Sequence, residues 1–349
     1  MFLNSLDVLN TKARYNSVYD VVKFVLAIAI IAIHSNLLPN ILYPWLRLAV
    51  PIFFMLSSFL FFSKINTIPE PKSQRSALLR FVLRNLKLYL FWFIVLFPFT
   101  ALLRNYFLGL SFNITSVFVF LLRVLQDFLF GSTFRSSWFI MALIISVTLV
   151  FFLSKRVNTV VLTICTFVVF SFVVLRSSYL PFFENNSLIF NSLSFYEKLF
   201  AKPYWSFPAA LIWVVLGKYF ADNNLSLSRW KNVILFIVSS IFLYVEWCVL
   251  YITTESCDND CYFFLIPTAI SLFLLIKQIK PFQVVFSLFL RKSSTVIYAL
   301  HGSLTIIFSL YFSRASTVFI LSFIVSFAVS MVVCYLEKFK MFRWLKYSH

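Results

Sequence analysis

Two ionisable side chains interrupt the apolar segment YDVVKFVLAIAIIAIHSNLLP at residues 19–39. Lys23 and His34 are eleven residues apart, and eleven steps along an α-helix rotate by about 1100°, which is three turns plus roughly 20°. Both side chains therefore fall on one face of a helix, with His34 about 16 Å further along the axis. Ionisable residues are costly inside a membrane, which makes both of them candidates for function.

The two residue types suit the two halves of a group-transfer reaction. Histidine ionises near neutral pH, so it takes a proton from a hydroxyl and returns it to a leaving group. Lysine carries a positive charge that attracts phosphate. The pair predicts a phosphate-bearing donor that enters from the cytoplasm beside Lys23, in a cavity shared with a general base, His34. Two structural alternatives stay open, because Lys23 can snorkel to headgroups and His34 can make a helix-packing hydrogen bond.

The elements that must position these residues are membrane helices. Of the 349 residues, 61% are hydrophobic and 12% are charged. Apolar runs close to the ~20 residues that cross a ~30 Å hydrocarbon core recur along the chain, and no polar block is long enough for a soluble domain. We expect an all-α, polytopic integral membrane protein with one membrane domain over residues 1–349 and no cleavable signal peptide.

The hydropathy pattern predicts ten transmembrane helices. They cover residues 20–38, 42–62, 86–103, 137–154, 157–175, 205–221, 233–252, 261–276, 294–312 and 316–336. An eleventh apolar segment, residues 114–130, has Arg123 and Asp127 at a spacing that allows an ion pair on a helix face. We expect this segment to be interfacial or re-entrant.

The net charge of +18 comes from basic residues that alternate between successive loops. With the N-terminus in the cytoplasm, 21 Lys and Arg residues fall in inside segments and 7 in outside segments. The positive-inside rule then places both termini in the cytoplasm. Because topology accounts for the charge, we predict no nucleic-acid partner.

Five further residues are candidates for binding an acceptor substrate. The second helix runs inward, so Arg47 lies just below the outer surface, where headgroup contact is the alternative role. Trp138, with Arg135 near it, lies at the outer interface, where aromatic anchoring is common, but its ring can also stack on a sugar. His301 and Glu246 lie deep within spans, and Glu246 needs a partner there, such as Arg47 or His301.

The cysteines and the known cofactor motifs narrow the chemistry further. Cys257 and Cys261, in the outside loop ESCDNDC, can form a disulfide in an oxidising compartment. A metal at this acidic loop is the less favoured alternative because no histidine lies near it in the sequence. No Walker loop, Rossmann fingerprint or zinc-ligand cluster occurs in the sequence. We therefore expect no metal and no redox cofactor.

Five segments, in order along the chain, resemble motifs of acyltransferase family 3, a family of membrane proteins. The basic residue, ten-residue gap and histidine of KFVLAIAIIAIH (23–34) are similar to the first-helix motif of that family. The other four segments are RLAVPIFFMLSSFLFF (47–62), SSWFIMALI (136–144), LGKYFA (216–221) and IYALH (297–301). In the first of these four, Ser57 and Ser58 stand where the family usually has Ser-Gly.

The resemblance implies an enzyme that moves an acyl group, commonly acetyl, from cytoplasmic acetyl-coenzyme A (acetyl-CoA) to a hydroxyl of a carbohydrate or lipid-linked glycan. In bacteria such acceptors include lipopolysaccharide O-antigens, capsules and exopolysaccharides. We therefore expect a multi-pass protein of the bacterial cytoplasmic (inner) membrane, in contact with membrane lipids. His34 is then the catalytic base and Lys23 helps to bind the donor. The chain resembles stand-alone family members, without a fused SGNH-type domain.

Two other classes of protein fit a polytopic chain with charges inside the membrane. One is a transporter or flippase for a lipid-linked sugar, and the other is a polysaccharide polymerase. Transporters often build their sites from broken helices and small-residue contacts, whereas this chain has four glycines and no inverted hydropathy repeat. A polymerase would favour a large outside loop, and the predicted outside loops are shorter. The transporter or flippase stays as the alternative function.

Overall fold

The computed structural model describes residues 17–38, 40–103, 114–135, 137–183, 187–223, 225, 227–254 and 260–349. Within these ranges the chain forms α-helices and short 3-10 segments, with no strand, as the sequence predicts. A fold made only of helices suits a bilayer, because each helix bonds its own backbone N–H and C=O groups without water.

The α-helices are numbered here in chain order. They are α1 (Val18–His34), α2 (Tyr43–Leu46), α3 (Ala49–Asn66), α4 (Pro71–Leu103), α5 (Ile114–Leu129), α6 (Trp138–Leu153), α7 (Thr159–Arg176), α8 (Ser187–Leu199), α9 (Phe207–Asp222), α10 (Arg229–Thr254), α11 (Leu265–Lys277), α12 (Ser287–Tyr311) and α13 (Ala315–Leu336). The 3-10 segments are Asn40–Leu42, Leu180–Phe183, Pro203–Trp205 and Lys340–Ser348.

Each of the ten predicted spans coincides with a helix, or with the short α2 followed by α3 for residues 42–62. By length and apolar composition, six helical segments of the described chain can cross a membrane, and α6 and α11 are apolar but shorter. The six are Tyr43–Asn66, Pro71–Pro98, Thr159–Arg176, Arg229–Thr254, Ser287–Tyr311 and Ala315–Leu336. The protein is therefore a multi-pass membrane protein. The count of ten, the cytoplasmic termini and the interfacial position of α5 stay predictions.

The break between α2 and α3 follows from Pro51. Proline has no N–H to donate to the carbonyl four residues earlier, and its ring crowds that carbonyl. The residue four positions before Pro51 is Arg47, and the chain leaves the α-helix at Arg47 and Leu48 before α3 begins. The proline thus sets Arg47 at a joint between two helices rather than inside one.

The helices pack in two groups that meet at α1 and α3. Helix α9 lies at the centre of the first group, against α3, α6 and α7. In the second group, α12 packs between α1 and α13, while α10 packs on α11. Contacts of α3 with α1 and with α11 join the groups.

Gly217 allows the close contact between α3 and α9. A Cβ atom at this position would lie 1.9 Å from the Ser58 Oγ and 2.6 Å from the Met55 carbonyl oxygen. Ser58 is fully buried in the same contact. Small residues at a helix crossing let two backbones approach, which is a main source of packing energy in membranes. Two of the sequence motifs, around Ser58 and around Gly217, therefore serve one helix crossing.

We expect Gly217→Ala to destabilise the protein by about 1–3 kcal/mol, because the added methyl group overpacks the α3–α9 crossing. Thermal unfolding of the purified protein in detergent measures the effect. The double variant with Ser58→Gly should recover part of the loss, since it removes the hydroxyl but leaves the Met55 carbonyl in place. An unfolding temperature for Gly217→Ala equal to that of the parent protein would contradict this account.

Candidate active site

A cavity of about 690 Å³ lies among α1, α3, α9 and α12. Its wall combines polar and aromatic side chains. The polar side chains are His34, Asn36, Tyr43, Arg47, Ser132, Arg135, Asp260, His301 and Ser303, and the aromatic ones include Phe54, Trp138, Phe170, Tyr204, Trp205, Trp213 and Tyr298. The structure thus brings together five of the predicted site residues: His34, Arg47, Arg135, Trp138 and His301.

The two histidines face each other across the contact between α1 and α12. The ring centroids of His34 and His301 are 5.0 Å apart, and the ring planes are inclined by 33°. His34 is half-buried, whereas His301 is 1% exposed. The Nδ1 of His301 lies 2.6 Å from the Tyr298 carbonyl oxygen. Because a carbonyl only accepts, this nitrogen carries a proton in the contact.

The chain reverses directly after His34. The Tyr43 hydroxyl donates to the Asn36 Oδ1 over 2.6 Å and also lies 3.1 Å from the Ile33 carbonyl oxygen. Asn36 has a φ of 53°, in the left-handed region that asparagine tolerates better than most residues. The turn fixes the end of α1 and with it the position of the imidazole. Sequence reasoning missed Asn36 and Tyr43, although Ser-Asn after an apolar run is typical of a helix end.

An ion pair lies in the cavity wall, next to the joint between α2 and α3. The Arg47 Nη1 is 2.5 Å from the Asp260 Oδ1, and the Trp205 Nε1 donates to the other carboxylate oxygen over 3.2 Å. The Arg47 Nε is buried and has no hydrogen-bond partner within the described residues. Asp260 thus orients the guanidinium while a buried N–H donor remains for a bound molecule. Sequence reasoning missed Asp260, which belongs to the acidic ESCDNDC loop.

Trp138 begins α6 and lies between the cavity and the core. Its ring is half-buried, with its centroid 5.9 Å from that of Phe54. The preceding Ser137 accepts hydrogen bonds from the backbone N–H groups of Thr133 (2.8 Å) and Phe134 (3.3 Å), which fixes the turn into α6. Arg135, in the same turn, is exposed and borders the cavity. The turn therefore presents a flat ring and a cation to one space.

A second pocket, of about 330 Å³, adjoins the first. Both spaces share His34, Asn36, Arg135 and Ile306 as lining residues. The second pocket is rich in hydroxyl groups, supplied by Ser35, Thr305, Ser309 and Ser313. His34 therefore lies in the boundary between two spaces.

Three of these hydroxyls already donate to the backbone. The Thr305 hydroxyl donates to the Gly302 carbonyl over 3.1 Å, and the Ser309 hydroxyl to the Ile306 carbonyl over 2.8 Å. The Ser35 hydroxyl does the same to Ala32 over 3.3 Å. A hydroxyl that has donated its single proton presents only lone pairs. This wall therefore suits a ligand that carries hydrogen-bond donors.

Lys23 is not among the described residues that line either pocket, so the expectation that it shares a cavity with His34 is wrong. Ala27 and Ile30, which lie between them on the same helix face, are 0% and 2% exposed. The helix geometry expected from the sequence holds, and the cavity extends along this face as far as Ile30, but Ala27, the next residue on the face toward Lys23, lies outside the lining and is packed. Lys23 is half-buried, and the charges of Asp20, Arg84 and Arg291 act on its ammonium group.

Glu246 also lies apart from the cavity lining. Its Oε1 accepts from the Tyr179 hydroxyl (2.9 Å) and the Phe263 N–H (2.8 Å), and its Oε2 accepts from the Phe264 N–H (2.8 Å). Burial and the nearby carboxylate raise the pKa of Tyr179, so the phenol stays a donor. The expected pairing of Glu246 with Arg47 or His301 is thus wrong. Its carboxylate caps the start of α11.

The cysteine loop is described only in part. Cys257 lies outside the described residues, so the predicted disulfide stays a prediction, and Cys261 is buried beside the cavity. The Ser178 hydroxyl donates to the Cys261 carbonyl over 2.6 Å, and the Cys261 N–H donates to the Ser177 hydroxyl over 3.2 Å. No group of three His, Cys, Asp or Glu side chains that could hold a metal occurs in the described ranges.

Comparison with known protein families agrees with this arrangement. Residues 16–336 match the acyltransferase domain that defines acyltransferase family 3. No curated protein and no solved structure matches the chain. The matched range contains α1 to α13 and all seven predicted site residues. The chain therefore belongs to acyltransferase family 3 and is a multi-pass membrane acyltransferase.

Proposed function

We propose that this protein is an O-acetyltransferase that moves an acetyl group from cytoplasmic acetyl-CoA to a hydroxyl of a surface carbohydrate, such as an O-antigen, a capsule or an exopolysaccharide. The observation that carries the proposal is the His34–His301 pair in the wall of an aromatic, partly charged cavity. By this proposal the protein acts in the bacterial inner membrane, and its acceptor is a free or lipid-linked glycan.

In the proposed reaction, His34 acts as the general base. Its imidazole takes the proton of the acceptor hydroxyl while the oxygen attacks the thioester carbonyl carbon. The new C–O bond forms, the C–S bond breaks, and the proton moves from the imidazole to the departing coenzyme A sulfur. The Arg47 Nε is a buried donor in the same cavity, suited to the oxyanion that forms on the carbonyl oxygen. His301 contacts the ring of His34 and thereby helps to hold the base in position.

The lining of both pockets favours a carbohydrate acceptor. Trp138 and Trp205 offer ring faces on which the C–H surface of a sugar can stack. The Thr305 and Ser309 hydroxyls present acceptor lone pairs to the hydroxyl groups of a sugar. A polyol therefore finds apolar and polar partners on opposite sides of His34.

The proposed binding of acetyl-CoA depends on positive charge. Lys23, Arg84 and Arg291 influence one another electrostatically near the start of α1, and coenzyme A carries three phosphates that favour such a cationic group. The cavity extends from His34 to Ile30, but Ala27 is buried, so the pantetheine arm reaches His34 only if side chains around Ala27 move. Donor binding is thus proposed to separate α1 from a helix that packs on it.

The family membership favours an enzyme over the transporter or flippase alternative. A flippase needs a path for a whole glycan. It does not need a general base, because no charge develops on a reacting group during transport. The His34–His301 pair and the Arg47 donor are what acyl transfer requires. We therefore retain the acetyltransferase as the single proposed function.

We expect His34→Ala to lower O-acetylation at least 100-fold, since a positioned general base contributes about 10²–10⁴ in rate. The protein is expressed in a bacterium whose surface polysaccharide lacks O-acetyl groups, and these groups are quantified by NMR. Cys165→Ala, on the exposed face of α7, serves as the control at equal membrane abundance. Acetylation that persists in His34→Ala would rule out this residue as the base.

Acetyl-CoA binding tests the role of Lys23. We expect Lys23→Ala to weaken binding to the purified protein by roughly tenfold, because one charge-assisted contact with phosphate is lost. Lys23→Arg keeps the charge and should bind within about threefold of the parent protein. Equal affinity for all three proteins would make the lysine a headgroup anchor only.

Thr305→Val tests the hydroxyl wall, because valine keeps the shape and removes the oxygen. We expect O-acetyl content to fall roughly three- to tenfold with acetyl-CoA binding unchanged, since the loss of one hydrogen-bond acceptor costs about 1 kcal/mol. Thr295→Val is the matched control, because Thr295 donates to a carbonyl of the same helix but lines neither pocket. Equal acetylation in the two variants would remove Thr305 from the acceptor site.

A further inference from the structure

The last helical segment has a geometry that the proposed reaction does not use. Residues Lys340–Ser348 form a 3-10 helix of nine residues. With three residues per turn, side chains three apart lie above one another, so the segment carries three straight rows. The basic row is Lys340, Arg343 and Lys346; the apolar row is Met341, Trp344 and Tyr347; and the inner row is Phe342, Leu345 and Ser348.

The inner row fixes the segment to the helix bundle. Leu345 and Ser348 are 7% and 0% exposed. The Trp92 Nε1 of α4 donates to the Ser348 carbonyl over 2.9 Å. The imidazole of His349 lies 3.0 Å from Glu337, which also pairs with Lys292 of α12. Contacts with α4 and with the end of α13 therefore hold the segment, so the other two rows keep fixed directions.

The apolar row extends the lipid-facing surface of α4. Met341, Trp344 and Tyr347 are 75%, 53% and 38% exposed, which is unusual for such side chains in water. The Trp344 ring lies 5.7 Å from that of Phe91, in the spanning part of α4. The Lys87 ammonium lies 5.3 Å from the Tyr347 ring. This row therefore lies at the level where the apolar part of α4 begins.

The basic row lies beside the apolar row and points outward. All three of its side chains are exposed, and the 3-10 rise of ~2 Å per residue spaces them roughly 6 Å apart. A line of cations next to a line of aromatic and apolar side chains is typical of a segment that lies in a membrane interface. Charge selects the lipid, because the basic row attracts anionic headgroups and gains little from zwitterionic ones.

We propose that Lys340–Ser348 is a binding site for anionic phospholipids. Met341, Trp344 and Tyr347 insert at the boundary between headgroups and acyl chains, and Lys340, Arg343 and Lys346 bind the phosphates of adjacent headgroups. The segment thereby ties α4 and the end of α13 to one leaflet. This inference does not depend on the identity of the acyl donor or acceptor.

The test compares lipids by their effect on thermal unfolding of the full-length protein. Micelles that contain phosphatidylglycerol should raise the unfolding temperature by several degrees relative to micelles that contain phosphatidylcholine, and added salt should reduce the rise. The variant K340Q/R343Q/K346Q should lose at least half of it. The control K64Q/R156Q/K231Q removes three exposed charges that do not form a row and should keep the rise.

Three outcomes would overturn the proposal. The first is an equal phosphatidylglycerol effect in the row variant and the scattered control. The second is an equal effect of the two lipids on the parent protein. The third is a similar rise with inorganic phosphate alone, which would make the site a phosphate site rather than a lipid site. Trp344→Ser supplies an independent arm: because the ring is exposed, the variant should fold but respond less to phosphatidylglycerol.

Discussion

The contact between α3 and α9 at Gly217 is the constraint on which the rest of the structure depends. A backbone carbonyl and a serine hydroxyl occupy the space that a side chain would need there. The crossing fixes α9, which in turn holds α6 and α7. The cavity residues Arg47, Trp138 and Trp213 lie on or next to these helices. The distance across the cavity is therefore set by the close approach of α3 and α9 at Gly217.

At the end of the bundle where α11 begins, polar contacts replace packing as the organising force. Glu246 accepts three hydrogen bonds at the start of α11, and this holds the chain just after Asp260. Asp260 in turn orients Arg47 and binds Trp205. Each such contact is stronger in a low-dielectric setting, and each unpaired group there is more costly. The position of the candidate site residue Arg47 thus depends on a carboxylate two contacts away.

The sequence predicts the helices well because the periodicity of apolar residues and the length of each apolar segment are local properties of the chain. The common face of Lys23 and His34 follows from helix geometry alone, and the motifs identify Arg47, Trp138 and His301 as residues that converge on one cavity. Prediction fails where a partner comes from a distant part of the chain. Nothing near Glu246 in sequence indicates Tyr179 or the N–H groups before α11. Nothing near Ala27 indicates that neighbouring helices close the space between this residue and Lys23.

The position of His34 between two spaces bears on the order of events in a reaction with two substrates. Its imidazole is part of both walls, so an acceptor that reaches across the two spaces passes directly beside it. In the proposed mechanism the acceptor oxygen attacks the thioester while the imidazole takes its proton, so both substrates must be bound before the acyl group moves. The proposal therefore predicts a sequential kinetic scheme rather than a double-displacement scheme, in which the first product departs early and a covalent acyl-enzyme remains.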